Sequence, residues 1–319
     1  MTFEDACRAF LAYCRAVKGL SDHTLRAYQQ DLAEARAFCG PDAAAAWWTR
    51  TTIREYVAHL GSARGLRAAT VKRRLACLKA LFRWLETDEV VDVSPFHRAP
   101  VTVRLPRRLP RDLSRAEVRQ LLDSPRCRLL GRADFGRMTV RLAILLMLST
   151  GVRVGELAAV RLPDIRLADG VIRIHGKGSR ERRVFVTDAG VRKLLERYMA
   201  FRDRRGVVTD VLLVDDRGHG LSPQGIRQRL RAAALAAGIG RRVTPHMLRH
   251  TAATQLLEAG VDIRFVQKLL GHQSIATTQI YTQVSDVSLQ RVVAEAGHLR
   301  RLTARGGART PAGETPAAE

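Results

Sequence analysis

No C-x-x-C pair occurs in the 319 residues, and the five cysteines (Cys7, Cys14, Cys39, Cys77 and Cys127) are scattered and odd in number. That distribution gives neither a disulfide framework nor a thiolate zinc site, and it fits reduced thiols in a cytosolic protein. Long hydrophobic runs are also missing. The longest, LAILLML at 142–148, is far short of the ~20 residues needed to span a bilayer. The opening MTFEDACRAF carries acid where a secretory signal needs positive charge, so the expectation is a soluble, cytoplasmic protein with no membrane partner. Acid is the third shortage: 31 Asp+Glu against 54 Lys+Arg leave a formal net charge of +23. Such an imbalance suits a polyanionic partner, because each Lys or Arg that meets a phosphate releases a condensed counterion. The sequence has no carboxylate pair or P-loop pattern for Mg²⁺ or ATP, so no cofactor and no metal are expected.

At this length about two domains are expected. Residues 1–91 read as helices. Ser21 can cap one in which Leu25, Tyr28, Leu32 and Ala35 recur at helical spacing. After Thr70, Val71, Leu75, Leu78, Phe82 and Leu85 form an apolar stripe beside a basic one of Lys72, Lys79 and Arg83. The basic stripe is either a solvated face or a phosphate-contacting one, and the net charge favours the second. Residues 92–112, DVSPFHRAPVTVRLPRRLPRD, hold four prolines, and five arginines lie between positions 98 and 111 without an acid among them. This reads as an extended basic linker. Lys72, Lys79 and Arg83 on the helix, with Arg104, Arg107 and Arg108 in the linker, form the expected phosphate-contacting set. Residues 113–302 read as a second, mainly helical domain with one hairpin, VIRIHGKGSRERRVFV at 171–186. Residues 303–319 are small, polar and Pro/Gly-rich, and are expected to be disordered.

The chemistry concentrates in the second domain. In TPHMLRHTAAT, 244–254, His246 and Arg249 are three apart and share a helix face. His246 and His250 have the spacing of zinc-binding histidines, but Met247 stands where a general-base Glu would be and a guanidinium lies between them. His250 is therefore expected to be a hydrogen-bonded structural histidine. Arg249 beside His246 suits a phosphate: the guanidinium matches two phosphate oxygens, and the imidazole can move protons near neutral pH. Arg153, in STGVRVGEL, follows a glycine break and is expected in the first turn of a new helix, where backbone N–H groups also welcome an anion. Lys177 sits at the hairpin tip, free to reach a substrate. Downstream, LLGHQSIATTQIYTQ, 269–283, offers Ser274 as a cap and Tyr281, which alone would read as a packing residue.

Taken in order, GVRVGEL, HGKGSRERR, HMLRHTAAT and LLGHQSIATTQIYT resemble the tyrosine recombinase family of phage-integrase and Xer type, and the resemblance covers nearly the whole chain. It implies that Arg153 and Arg249 clamp a scissile DNA phosphate, that Lys177 protonates the leaving 5′ oxygen, and that His246 contacts the phosphate and transfers protons. It further implies that His272 supports the phosphate and that Tyr281 is the nucleophile. Glu156 would orient the basic cluster, although at i, i+3 from Arg153 it could be a mere helix ion pair. The phenol's ordinary pKa of about 10 leaves about one phenolate in a thousand near pH 7; clustered cations favour the phenolate and stabilise charge on the phosphoryl oxygens.

The fold expected is mainly α with a small β-sheet: an N-terminal helical core-binding domain and a recombinase catalytic domain forming a clamp on double-stranded DNA at a specific core site. The implied activity is strand cutting and rejoining through a 3′-phosphotyrosyl link, by a homo-tetramer on two sites or a mixture with a paralogue. Segment 285–296 resembles the family's terminal helix that docks on a neighbouring protomer; the alternative is a helix packed on its own domain. Gln283 stands where many Xer-type members carry His, and AEAGHLRRLT lacks an H-P-R ending, which tilts the reading toward an enzyme of a mobile element. Nicking and resealing within one duplex, as a topoisomerase does, is the first rival. A non-enzymatic DNA-binding regulator is the second and zinc hydrolysis the third.

Overall fold

The computed structural model describes the chain except residues 41, 98–102, 104–111, 130–133, 177–180, 271–285 and 304–319, with backbone alone at 286–289. It divides into two compact units, Met1–Arg108 and Leu109–Glu319.

The first unit is helical: α1 (Phe3–Ala16), α2 (Asp22–Cys39), α3 (Arg50–Ala58) and α4 (Ala68–Thr87). Side-chain oxygens set the helix starts. Thr2 accepts from the Asp5 N–H at α1, and Thr49 and Thr52 form a reciprocal box at α3. Ser21 does precede α2, but its hydroxyl pairs with Thr24 Oγ1 at 3.0 Å and makes no cap bond. The whole stripe of α4, from Val71 to Leu85, is buried against Phe3, Phe10, Leu32, Ile53 and Tyr56. Lys72, Lys79 and Arg83 are exposed. Other cations of α4 have a structural use: Arg73 and Arg74 pair with the buried Asp31 of α2, and Arg74 also meets Glu34 at 3.0 Å. The basic segment after α4 is partly folded onto this unit. Ser94 is buried with its N–H on Glu86 Oε1 at 3.0 Å, and Phe96 and Val103 pack against the core.

The second unit is built around α6 (Phe135–Thr150). A helix apolar on every side must be covered on every side, and LAILLML lies wholly buried within it. Around it come α5 (Arg115–Asp123), α7 (Val154–Ala158), α8 (Ala189–Arg204), α9 (Pro223–Ala236), α10 (Pro245–Glu258) and α11 (Ile263–Leu270), then α12 (Asp286–Ala296) and α13 (His298–Thr303). The expected hairpin forms from β2 (Val171–His175) and β3 (Glu181–Phe185), with Ile174 opposite Arg182. A short β1 (Ile165–Arg166) extends it to three antiparallel strands in the order β1-β2-β3. The fold is thus mainly α with a small sheet.

The terminal helices sit on their own unit in this single chain. Val293 and Ala296 of α12 and Leu299 and Leu302 of α13 join the core, and Gln290 Nε2 donates to Asp169 O at 3.2 Å. Helix α13 runs to Thr303, one residue into the span read as tail. Among the described residues no helix is long and apolar enough to cross a membrane.

Candidate active site

The site begins where α6 stops. Gly151 takes φ +65°, the left-handed conformation that ends many helices, and a Cβ there would lie 2.3 Å from Leu270 Cδ2. Two residues later Arg153 is the N-cap of α7, not a first-turn residue as the sequence suggested. The reason lies in Glu156. Its carboxylate turns back to accept the Arg153 backbone N–H at 2.8 Å and Arg153 Nη1 at 2.9 Å, so a side-chain anion already occupies the helix start.

Glu156 is therefore more than a local ion pair. Arg182 of β3 forks onto the same carboxylate, Nη1 to Oε1 at 2.9 Å and Nη2 to Oε2 at 2.8 Å. Burial works against ionisation of Glu156, but Arg182 and then Arg153 outweigh it and hold the carboxyl at about 2. Arg182 was not singled out from the sequence. The signal existed in ERRVF: Arg182 shares a strand face with Val184, so the alternation turns an arginine inward next to a core position.

Arg249 answers why a half-apolar helix should carry a buried cation. It is 5% exposed, and its guanidinium donates from Nη1 to Gly151 O at 2.6 Å and from Nη2 to Leu270 O at 2.7 Å. Burial first, then the Arg153 charge, lowers its pKa to about 10, which still leaves it cationic at neutral pH. His246, one turn earlier on α10, is exposed. His250 is exposed as well, which corrects its reading as a structural histidine. The histidine with that character is His298, 3% exposed, whose Nε2 lies 3.2 Å from Leu148 O.

Two guanidiniums thus hold the end of α11, Arg249 at Leu270 O and Arg182 at Leu269 O (3.1 Å). The structure brings together Arg153, Glu156, Arg182 and Arg249, with His246 nearby on α10. Lys177, His272 and Tyr281 lie outside the described residues, as do Ser274, Arg104, Arg107 and Arg108. Among the described residues there is no group of three or more His, Cys, Asp or Glu side chains arranged to hold a metal ion.

Known families match both helix-rich units, the second of which sets a small sheet beside a cluster of arginines. Residues 111–287 match the phage integrase family and residues 7–89 match the phage integrase N-terminal SAM-like domain. The chain belongs to the phage integrase family, whose tyrosine recombinases break and rejoin DNA in site-specific recombination. It is 34% identical over 300 residues to a tyrosine recombinase of Agathobacter rectalis, covering 92% of this chain and 96% of that protein. With the tyrosine recombinase XerD of Pseudomonas putida it shares 37% over 289 residues, covering 87% and 92%. Among solved structures, a lambda integrase (75–356) dimer bound to a COC′ core site superposes with a TM-score of 0.66 at 21% identity, covering 89% of this chain and 100% of that one. XerH bound to a palindromic difH substrate also gives 0.66, at 22% identity, covering 91% and 80%. Those two likenesses are likenesses of fold.

Proposed function

We propose that the chain cuts and rejoins DNA strands at a specific core site through a 3′-phosphotyrosyl intermediate on Tyr281. Arg153 and Arg249 bind the scissile phosphate and stabilise the charge that builds on its oxygens. His246 and His272 contact the same phosphoryl group, and Lys177 protonates the 5′ oxygen as it leaves. Glu156 keeps Arg153 aimed. The phenol gives its proton to His246 as its oxygen attacks phosphorus, the P–O5′ bond breaks as Lys177 protonates O5′, and the freed 5′ hydroxyl of a partner strand later reverses the attack. The covalent link retains the phosphodiester's energy, so rejoining needs no fuel. Unit charges ~4 Å apart interact by up to a few kcal/mol at intermediate dielectric, so clustered cations suffice without a metal ion.

The observation that supports this best is the placement of Arg249. A buried guanidinium fixed by two backbone carbonyls beside Arg153 is a preorganised electrostatic site, and such preorganisation supplies most of the rate enhancement of many enzymes. The two units would close as a clamp on the duplex, the exposed Lys72, Lys79 and Arg83 meeting phosphates together with Arg104, Arg107 and Arg108. Four protomers, identical or mixed with a paralogue, would assemble on two sites. The protein would act in the cytoplasm.

A nicked duplex carrying the core site is expected to trap an SDS-resistant protein–DNA adduct, with Tyr281→Phe abolishing it while binding persists. A two-site plasmid is expected to yield recombinant circles. Relaxed plasmid without recombinants would replace recombination with nicking and resealing inside one duplex.

A further inference from the structure

We infer that Arg182 is a positioning residue of the strand-cutting site, holding Arg153 through Glu156 and fixing the end of α11 through the Leu269 carbonyl. The inference rests on the reading proposed above. Each oxygen of Glu156 receives two hydrogen bonds, one from each arginine: Oε1 from Arg153 Nη1 and Arg182 Nη1, Oε2 from the Arg153 N–H and Arg182 Nη2. The carboxylate is saturated, and the Arg153 guanidinium cannot swing without breaking that set. The third nitrogen of the guanidinium, Nε, donates to Leu269 O at 3.1 Å.

This is unlike a surface ion pair. Glu156 and Arg182 side chains are 10% and 16% exposed, so neither solvent nor salt screens them fully. Three bonds in two directions need a planar group; an ammonium could not reproduce them. One side chain on β3 therefore ties together the start of α7, which carries Arg153, and the end of α11, from which the chain runs on to His272 and Tyr281. Beside it Arg249 grips the next carbonyl, Leu270 O. Arg182 thereby links the phosphate-binding arginines to the end of α11, without itself needing to touch DNA.

The probe is a nicked duplex selected from a randomised library by covalent capture on the wild-type chain. Adduct formation at saturating protein, DNA affinity and thermal unfolding are measured for Arg182→Gln, Arg182→Lys, Glu156→Gln and the Glu156→Gln/Arg182→Gln double variant. For Arg182→Gln the adduct rate is expected to fall about tenfold to a hundredfold, the usual effect of a misplaced group. DNA affinity should stay within about threefold, and in the Glu156→Gln background Arg182→Gln should cost at least about threefold less in rate than it does in the wild type, because the route through Glu156 is already cut and only the Leu269 contact remains to be lost. Its rate should also fall more steeply than the wild type's from about pH 7 to about pH 5, as a buried carboxyl without its fork takes up a proton. Arg182→Lys should recover part of the rate, and it carries the same test should the Gln variant not fold. An unchanged rate, a loss confined to DNA affinity, or full losses that multiply in the double variant would overturn the inference. A wild-type chain that captures no DNA would overturn the reading of the site and the inference with it.

Discussion

Gly151 shows how one small residue serves both the fold and the site. Its positive φ ends α6, its missing Cβ admits Leu270, and its carbonyl anchors Arg249. Gly151→Ala therefore meets two obstacles at once, a left-handed backbone costing roughly 1–2 kcal/mol and overpacking costing about 1–3 kcal/mol. The expected outcome in urea unfolding is a loss of about 2–5 kcal/mol, part of it recovered by adding Leu270→Ala. A change below about 0.5 kcal/mol would mean that this close approach does not hold the arginine. At this scale the sequence was informative where a residue type was odd for its setting. A glycine before Arg153 and an arginine in a half-apolar helix both announced themselves. Arg182 was easier to pass over, because the run RERR looks solvated when taken alone; its alternation with Val184 is the one mark of an inward position, and the pairing with Ile174 bears that out.

Between elements, charged pairs lock helix starts to distant segments. Ser114 caps α5 and Glu117 closes the box, while Arg241, just before α10, forks onto Glu117 at 2.8 and 2.7 Å. Those Arg241 bonds, against a smaller opposing effect of burial, lower the Glu117 pKa to about 2 from 4.5. A carboxyl depressed on folding contributes fully above its unfolded pKa and loses that contribution as pH falls toward the folded one. The contribution, discounted to about 2 kcal/mol because solvent screens the half-exposed Arg241, should vanish between about pH 4.5 and about pH 2. Glu117→Gln is expected to lower stability at pH 7 by that amount and to flatten the acid limb in denaturant titrations across pH. An acid limb identical to the wild type's would mean that the pair is not formed in solution. Helix stripes such as that of α4 were legible because periodicity is local. The third strand, β1, and the N-cap position of Arg153 were not, because a two-residue strand has no period and a returning carboxylate leaves no mark on spacing. Ser21 was a correct boundary with a wrong mechanism, its hydroxyl satisfied by Thr24.

Across the whole molecule the excess of base has a divided use. Arg73, Arg74 and Arg182 are spent on internal carboxylates, while Lys72, Lys79 and Arg83 remain exposed on α4. If the exposed set meets phosphates, log affinity should fall with log salt at a slope steeper than about −4, and alanine at all three positions should flatten it by about 2–3. An unchanged slope would remove α4 from the DNA-contacting surface. The most direct measurement concerns the bond itself. Protein captured on nicked DNA is digested with protease and nuclease, and the peptide that retains phosphate is sequenced by mass spectrometry. The expected peptide carries a 3′-linked nucleotide on Tyr281; phosphate on any other residue, or none, would contradict the proposed chemistry.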